Sequence, residues 1–258
     1  MTQLQRIAIA PDQLQQEQIL LTPQQQHYLG RVLRLRAGDR FIAIDGVGKW
    51  WLAQLEGENA QVLESITVET ELPLSITLIV ALPKGNAFDD VVRCSTELGV
   101  STIAPVVSER TLLNPSPQKL ERWRRIAQEA AEQSERSFVP TVLEPVSFST
   151  ALSSVTEYYP QKTTEIASNS SMKNNQYICV ARGHFPHLRD CLQNKGQTTI
   201  VIATGPEGGW TQKEVDSATE AGFQPVSLGR RILRAVTAPI VALAAIAAEL
   251  ESTVKNSS

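Results

Sequence analysis

From Ser75 onward the sequence repeats one alternation that few architectures can accommodate. A short, continuously apolar run is followed by a longer segment with apolar residues at helical spacing, and then by another apolar run. The runs at 76–82, 102–107, 177–181, 199–204 and 224–228 lack a polar face, so as strands they must be covered on both sides. The segments 88–98, 118–137, 148–155, 213–221 and 238–250 supply the covering helices. This rhythm predicts an α/β domain built on a mainly parallel sheet. The stretch 159–176, rich in Ser, Asn, Lys and Thr, is too polar to pack and reads as a surface loop.

The first seventy or so residues follow a different rule. Short apolar runs at 6–10, 40–45, 50–55 and 60–68 are punctuated by Gly and Asp-Gly turn signals, the pattern of a small barrel or sandwich. One helix is predicted among them, over 23–35, opened by Thr22 as cap and Pro23 in the first turn. Its apolar stripe is Leu29, Val32, Leu33 and Leu35, which leaves Arg31 and Arg34 facing a partner. Glu71-Leu72-Pro73 marks the boundary, giving an N-terminal domain over 1–72 and a second over 73–258.

Composition narrows the function. The 258 residues are 42% hydrophobic and 20% charged, which excludes disorder, collagen and coiled coil. The longest apolar stretch, 235–250, is interrupted by Pro239 and is too short to span a bilayer. No basic flank precedes an apolar segment at the start, so the expected location is the cytoplasm, without a membrane partner. Cys94, Cys179 and Cys191 are an odd number in unlike contexts and read as ordinary thiols. A net charge of −3 gives no global pull toward nucleic acid. Contact with a polyanion must therefore come from local clusters: Arg31, Arg34, Arg36 and Arg40; Arg122, Arg124 and Arg125; Arg230, Arg231 and Arg234.

The sharpest signal is Thr204-Gly205-Pro206-Glu207-Gly208-Gly209, directly after an apolar strand and before a helix starting near Thr211. Ligands of open α/β sheets collect at the carboxyl ends of strands, and glycines let the backbone approach them closely. A second loop, Leu228-Gly229-Arg230-Arg231-Ile232-Leu233-Arg234, follows the next strand and would form the opposite wall, with its arginines at the mouth. Neither loop is a phosphate cradle or a GxGxxG fingerprint. His184, His187 and Cys191 match no zinc spacing, so no metal is expected, and no nucleophile elbow is present.

These pieces, in order, resemble the RsmE family of the SPOUT methyltransferases. The likeness runs through His27-Tyr28-Leu29-Gly30-Arg31-Val32-Leu33-Arg34, Ala81-Leu82-Pro83-Lys84-Gly85, Thr96-Glu97-Leu98-Gly99-Val100, Ser108-Glu109-Arg110, Gly205-Pro206-Glu207-Gly208-Gly209, and Leu228 to Arg234 with Thr237-Ala238. It implies a small N-terminal PUA-like β-barrel that helps hold RNA, and a C-terminal α/β domain tied in a trefoil knot. It further implies a homodimer, S-adenosylmethionine as cofactor, and methylation of N3 of one uridine in 16S ribosomal RNA of the small subunit; a transfer RNA target fits the N-terminal likeness less well. By the same resemblance the cofactor sits among Thr204, Gly205, Glu207, Gly208, Leu228, Gly229, Ile232, Leu233 and Arg234, with a third wall from the loop after the 177–181 strand. RNA contacts are implied for Arg6, His27, Arg31, Arg34, Lys84 and Arg110. Arg234 and Arg6 are the candidate catalytic cations, able to stabilise a developing uridine anion; Lys84 and Arg110 could do the same. One departure stands out: the family usually has Glu where this chain has Val236. That motivates an alternative, a ribosome-binding or assembly protein that keeps the scaffold with weak or no catalysis.

Overall fold

The structure is a computed structural model that describes residues 4–111, 115–158, 175–192 and 199–254. The polar stretch 159–176 lies, except for its last two residues, outside the described residues. The chain divides into two compact units. One takes the chain up to Glu71 together with Gln128–Val139; the other takes Leu72–Ala127 with Pro140–Ser258.

The first unit holds β1 (Arg6–Ala8), β2 (Leu14–Gln15), β3 (Gln18–Ile19), helix α1 (Pro23–His27), β4 (Arg40–Ile44), β5 (Trp50–Glu56) and β6 (Asn59–Ile66). They form a six-stranded sheet in the order β1-β4-β5-β6-β3-β2, antiparallel except for the β1–β4 pair. Strand alternation turns Phe41, Ala43, Ala53 and Leu55 inward, where they join Ile7, Ile19, Leu29 and Ala60 in one apolar core. The helical stretch differs from the expectation of one helix over 23–35. Thr22 does cap α1, its Oγ1 accepting the Gln25 N–H while Gln25 Oε1 accepts the Thr22 N–H. After His27, however, the coil widens into a π turn over Tyr28–Val32, closed by the Leu33 N–H donating to the Tyr28 carbonyl at 2.9 Å. Gly30 weakens the helix there, and Arg34, at φ 59°, ends it. The wider turn breaks the expected stripe: Leu29 is buried but Val32 is 57% exposed.

The returning segment of this unit is fixed by charge. The guanidinium of Arg136, buried, donates from Nη2 to Glu71 Oε2 at 2.7 Å, and Glu71 Oε1 accepts the N–H groups of Ser137 and Phe138.

The second unit carries β7 (Ser75–Ala81), α2 (Phe88–Glu97), β8 (Thr102–Val107), α3 (Pro117–Gln133) as far as Ala127, β9 (Thr141–Val142), β10 (Val146–Ser147), α4 (Phe148–Tyr158), β11 (Gln176–Cys179), α5 (Leu188–Cys191), β12 (Thr199–Thr204), α6 (Gln212–Glu220), β13 (Gln224–Val226) and α7 (Thr237–Val254). Its sheet is seven-stranded and wholly parallel, in the order β10-β8-β7-β12-β11-β13, with β9 also paired to β8. Four of the long apolar runs became strands covered on both faces, with Ile76, Leu78, Ile103, Ile178 and Ile202 fully buried, while the fifth forms the edge strand β13, where Gln224 is exposed and Val226 buried. Helix α3 stops four residues short of the expected 137, where Ser134 Oγ bonds back to the Ala130 carbonyl and Glu135 turns to φ 59°. The expected α/β domain and the expected small β unit are both observed.

Candidate functional site

Because all strands of the second unit run the same way, their carboxyl ends share one edge of the sheet, and the loops that leave β12, β11 and β13 are neighbours there. Those three loops line a cavity of about 530 Å³. The loop after β12 contributes Gly205 to Trp210, the loop after β13 contributes Leu228, Gly229, Arg231, Ile232 and Leu233, and the end of β11 contributes Cys179 to Arg182. Arg110 closes one side from the loop after β8, and Ala238 closes another from the first turn of α7. The third wall expected from the β11 loop is present.

Of the residues tied to the cofactor by resemblance, Gly205, Glu207, Gly208, Leu228, Gly229, Ile232 and Leu233 line this cavity. Thr204 and Arg234 are not on its wall. Thr204 is the last residue of β12 and fully buried, its Oγ1 without a hydrogen-bond partner. Arg234 acts through its backbone, its carbonyl accepting the N–H groups of Thr237 and Ala238 as α7 begins, while its side chain is exposed. Gly229, at φ 115°, takes a conformation that L side chains rarely adopt, and so shapes its wall.

The loop after β12 is held from outside by earlier strand ends. Lys84, just past β7, donates its backbone N–H to Glu207 Oε1 at 2.9 Å. Arg110 donates from Nη1 to the Gly208 carbonyl at 2.6 Å and reaches the Trp210 carbonyl at 3.4 Å. Glycine suits this approach: a Cβ on Gly208 would lie 3.1 Å from Arg110 Cδ, and one on Gly205 would lie 3.2 Å from the Trp210 indole, both tight enough that the neighbour must give by a few tenths of an ångström. Trp210 stacks on Phe148 with centroids 4.3 Å apart, and its indole Nε1 is buried without a partner.

Two other groups are defined by their surroundings. Burial pushes the Cys179 thiol up to about 12, so at neutral pH it is a neutral part of the wall and no nucleophile. His187 Nδ1 accepts the Arg189 N–H as the cap of α5. Among the described residues, no three His, Cys, Asp or Glu side chains gather to hold a metal ion.

Of the residues tied to RNA, Lys84 and Arg110 lie in the second unit, and Arg6, His27, Arg31 and Arg34 in the first. His27, Arg31 and Arg34 are exposed on the α1 and π-turn stretch. Arg6 is mostly enclosed: its Nη2 pairs with Glu135 at 3.0 Å and its guanidinium lies 5.8 Å from the Trp50 ring centroid. Reasoning from sequence singled out Arg231, which lines the cavity, but not Trp210, Arg182 or Glu214. The Thr211-x-x-Glu214 capping-box signature was there to be read; the others sit in loops without a signature of their own.

A family model described as an RNA methyltransferase domain matches residues 70–247, and one described as an RNA methyltransferase PUA domain matches 21–64. The chain is 48% identical over 251 residues to the ribosomal RNA small subunit methyltransferase E of Synechocystis, covering 96% of this chain and 78% of that protein. It is 31% identical to the protein of the same name from Bacillus subtilis, over 90% of each chain. Among solved structures it is similar to ribosomal RNA small subunit methyltransferase E from Neisseria gonorrhoeae bound to S-adenosyl methionine, with 35% identity, a TM-score of 0.80 and coverage of 96% and 98%. It also matches a putative methyltransferase from Legionella pneumophila in complex with S-adenosyl methionine, at 26% identity and a TM-score of 0.77 over 96% of this chain and 98% of that one. With a PUA match on its first unit, a methyltransferase match across its second and near-complete coverage by these relatives, the chain belongs to the RNA methyltransferase family, in its ribosomal RNA small subunit methyltransferase E branch.

Proposed function

We propose that the chain methylates N3 of one uridine in 16S ribosomal RNA, with S-adenosylmethionine held in the cavity between the loops after β11, β12 and β13. The observation that carries this reading is the convergence of two glycine-bearing bends on one cavity at neighbouring strand ends. The residues present fit the cofactor. The volume falls within the ~300–1,000 Å³ of small-molecule sites. Glycine backbones leave N–H and C=O groups open to a polar ring edge, and the buried, unpartnered Trp210 Nε1 and Thr204 Oγ1 are unspent polar atoms beside the same loop. Bound there, the cofactor supplies a methyl group on a sulfonium centre.

The chain's own task is to position the base and manage its charge. Attack by N3 requires loss of its proton and stabilisation of the charge that appears on the ring. Arg234 is exposed and takes no part in the ion pairs of the described residues, so its full charge is open to substrate. Arg6 is already offset by Glu135, and its place in this reading is RNA contact once that pair opens. His27, Arg31 and Arg34 extend the RNA surface on the PUA unit, while Lys84 and Arg110 do so on the methyltransferase unit. The domain division at 72, the trefoil-knot path, the homodimer and a cytoplasmic setting belong to the same reading. On α7, Leu243 and Ile246 are consumed by the core, which leaves the half-buried Ile240 for a second copy.

The test is primer extension across 16S RNA from a strain lacking the gene. A methyl on N3 blocks the Watson–Crick edge, so the polymerase stop should vanish with the gene and return when purified protein and S-adenosylmethionine are added to the small subunits. RNA binding without methyl transfer would instead support the scaffold reading raised by Val236.

A further inference from the structure

A capping box needs only one oxygen of its carboxylate. In α6 the Glu214 side chain, only 7% exposed, uses Oε2 in that way, accepting the Thr211 N–H at 2.8 Å and the Thr211 hydroxyl at 3.1 Å. Its other oxygen leaves the helix: Oε1 accepts the backbone N–H of Glu109 at 2.9 Å, across 105 residues of sequence. The next residue after Glu109 is Arg110, whose guanidinium holds the Gly208 and Trp210 carbonyls and whose stem fills the space a Gly208 side chain would need. One carboxylate thus fixes the start of α6 and the loop after β8 together, and the glycine bend lies between these two anchors.

We infer that Glu214 is a positioning residue for the methyl-donor cavity, acting through Arg110 on the Gly208 bend rather than merely capping α6. It does not line the cavity, so it touches no substrate. Its reach to Glu109 serves no need of the helix, whose first turn is satisfied by the Thr211 bonds. A buried carboxylate is costly unless its oxygens are fully bonded, and here the bonding is completed by the loop that carries Arg110. This inference rests on the reading of the cavity as the cofactor site, and its test is arranged so that either can fail alone.

Glu214→Gln keeps the shape but turns one acceptor into a donor; Arg110→Met keeps the stem and removes the guanidinium. Each should weaken S-adenosylmethionine affinity, read by calorimetry, roughly tenfold, the loss expected for one buried charge-assisted hydrogen bond. In the double variant the loss should stay near tenfold instead of the roughly hundredfold that independent sites would give. Hydrogen exchange in the ligand-free protein supplies the second readout. Peptides over 205–210 should exchange faster in both single variants. A cap-only role predicts additive affinity losses, with faster exchange confined to the first turn of α6, and either result overturns the inference. Should Glu214→Gln fail to fold, Glu214→Asp carries the same comparison, since it keeps the charge at the helix start but is one methylene short of spanning both loops. Wild-type protein that binds no S-adenosylmethionine would end the cofactor reading, while the exchange data would still decide whether Glu214 braces the bend.

Discussion

The backbone N–H of Lys84 donates to the Oε1 of Glu207 at 2.9 Å, joining the loop after the central strand β7 to the glycine bend after β12. Glu207 therefore serves the cavity partly as a strut. Glu207→Ala should weaken S-adenosylmethionine binding roughly tenfold, whereas Glu207→Gln, which retains an oxygen acceptor, should lose much less. Calorimetric titration of the two variants checks this. Equal losses would mean that the charge, and not the bond to Lys84, is what matters.

Gly208 packs closely against Arg110, so that even a Cβ there presses on the arginine stem and a branched side chain presses harder. Gly208→Val should abolish cofactor binding while leaving the thermal midpoint within a few degrees of wild type, because the bend lies at the surface and outside the core. Unchanged affinity would remove the argument from the glycine bend.

Arg31 and Arg34 are exposed where the α1 stretch ends, and Arg34 sits at φ 59°. Replacing both by Glu should weaken RNA binding at least roughly tenfold and lower the slope of log affinity against log salt by about two, with cofactor affinity unchanged. Filter binding over a salt series gives both numbers.

Glu71 is the carboxylate paired with the buried Arg136. Glu71→Ala leaves that guanidinium without its carboxylate and strips two backbone N–H groups of their acceptor, so the N-terminal unit should lose on the order of 3 kcal/mol. Chemical denaturation followed by tryptophan fluorescence is a direct measure, since Trp50 and Trp51 lie in that unit's sheet.

Burial pushes the Glu132 carboxyl above the ordinary glutamate value, with Glu129 adding to the rise, while hydrogen bonds from Gln128 and the Ala8 backbone pull it back. The folded state then binds more protons than the unfolded chain just above the ordinary value, and stability falls as pH rises through that window. Glu132→Gln should accordingly raise the thermal midpoint at pH 7 and leave it nearly unchanged at pH 4. A gain that is the same at both values would contradict this assignment.

Much of the fold was legible because burial leaves a mark on composition. The runs at 102–107 and 199–204 are strands with those bounds, since a strand covered on both faces is almost wholly apolar, threonine being its polar exception here. The π turn at Tyr28–Val32 was not legible: Val32 and Leu33 continue a helical pattern, and only Gly30 hints at the break. The short β9 and β10 were missed because two residues carry no period. Nor does sequence reveal that Gln128–Val139 returns to the first unit, since the helical pattern of α3 runs on without a change in character. In the site, glycine loops after apolar strands announced themselves, whereas Trp210, Arg182 and the second oxygen of Glu214 depend on long-range packing that no local pattern encodes.

The central claim is that the bends at Gly205–Gly209 and Leu228–Leu233 grip one methyl donor. A crystal structure of the protein grown with S-adenosylmethionine tests it most directly. The account predicts density for the donor between those bends, in the cavity that Arg110 and Arg231 also line; density lodged elsewhere, or bends too far apart to touch one molecule, would contradict it.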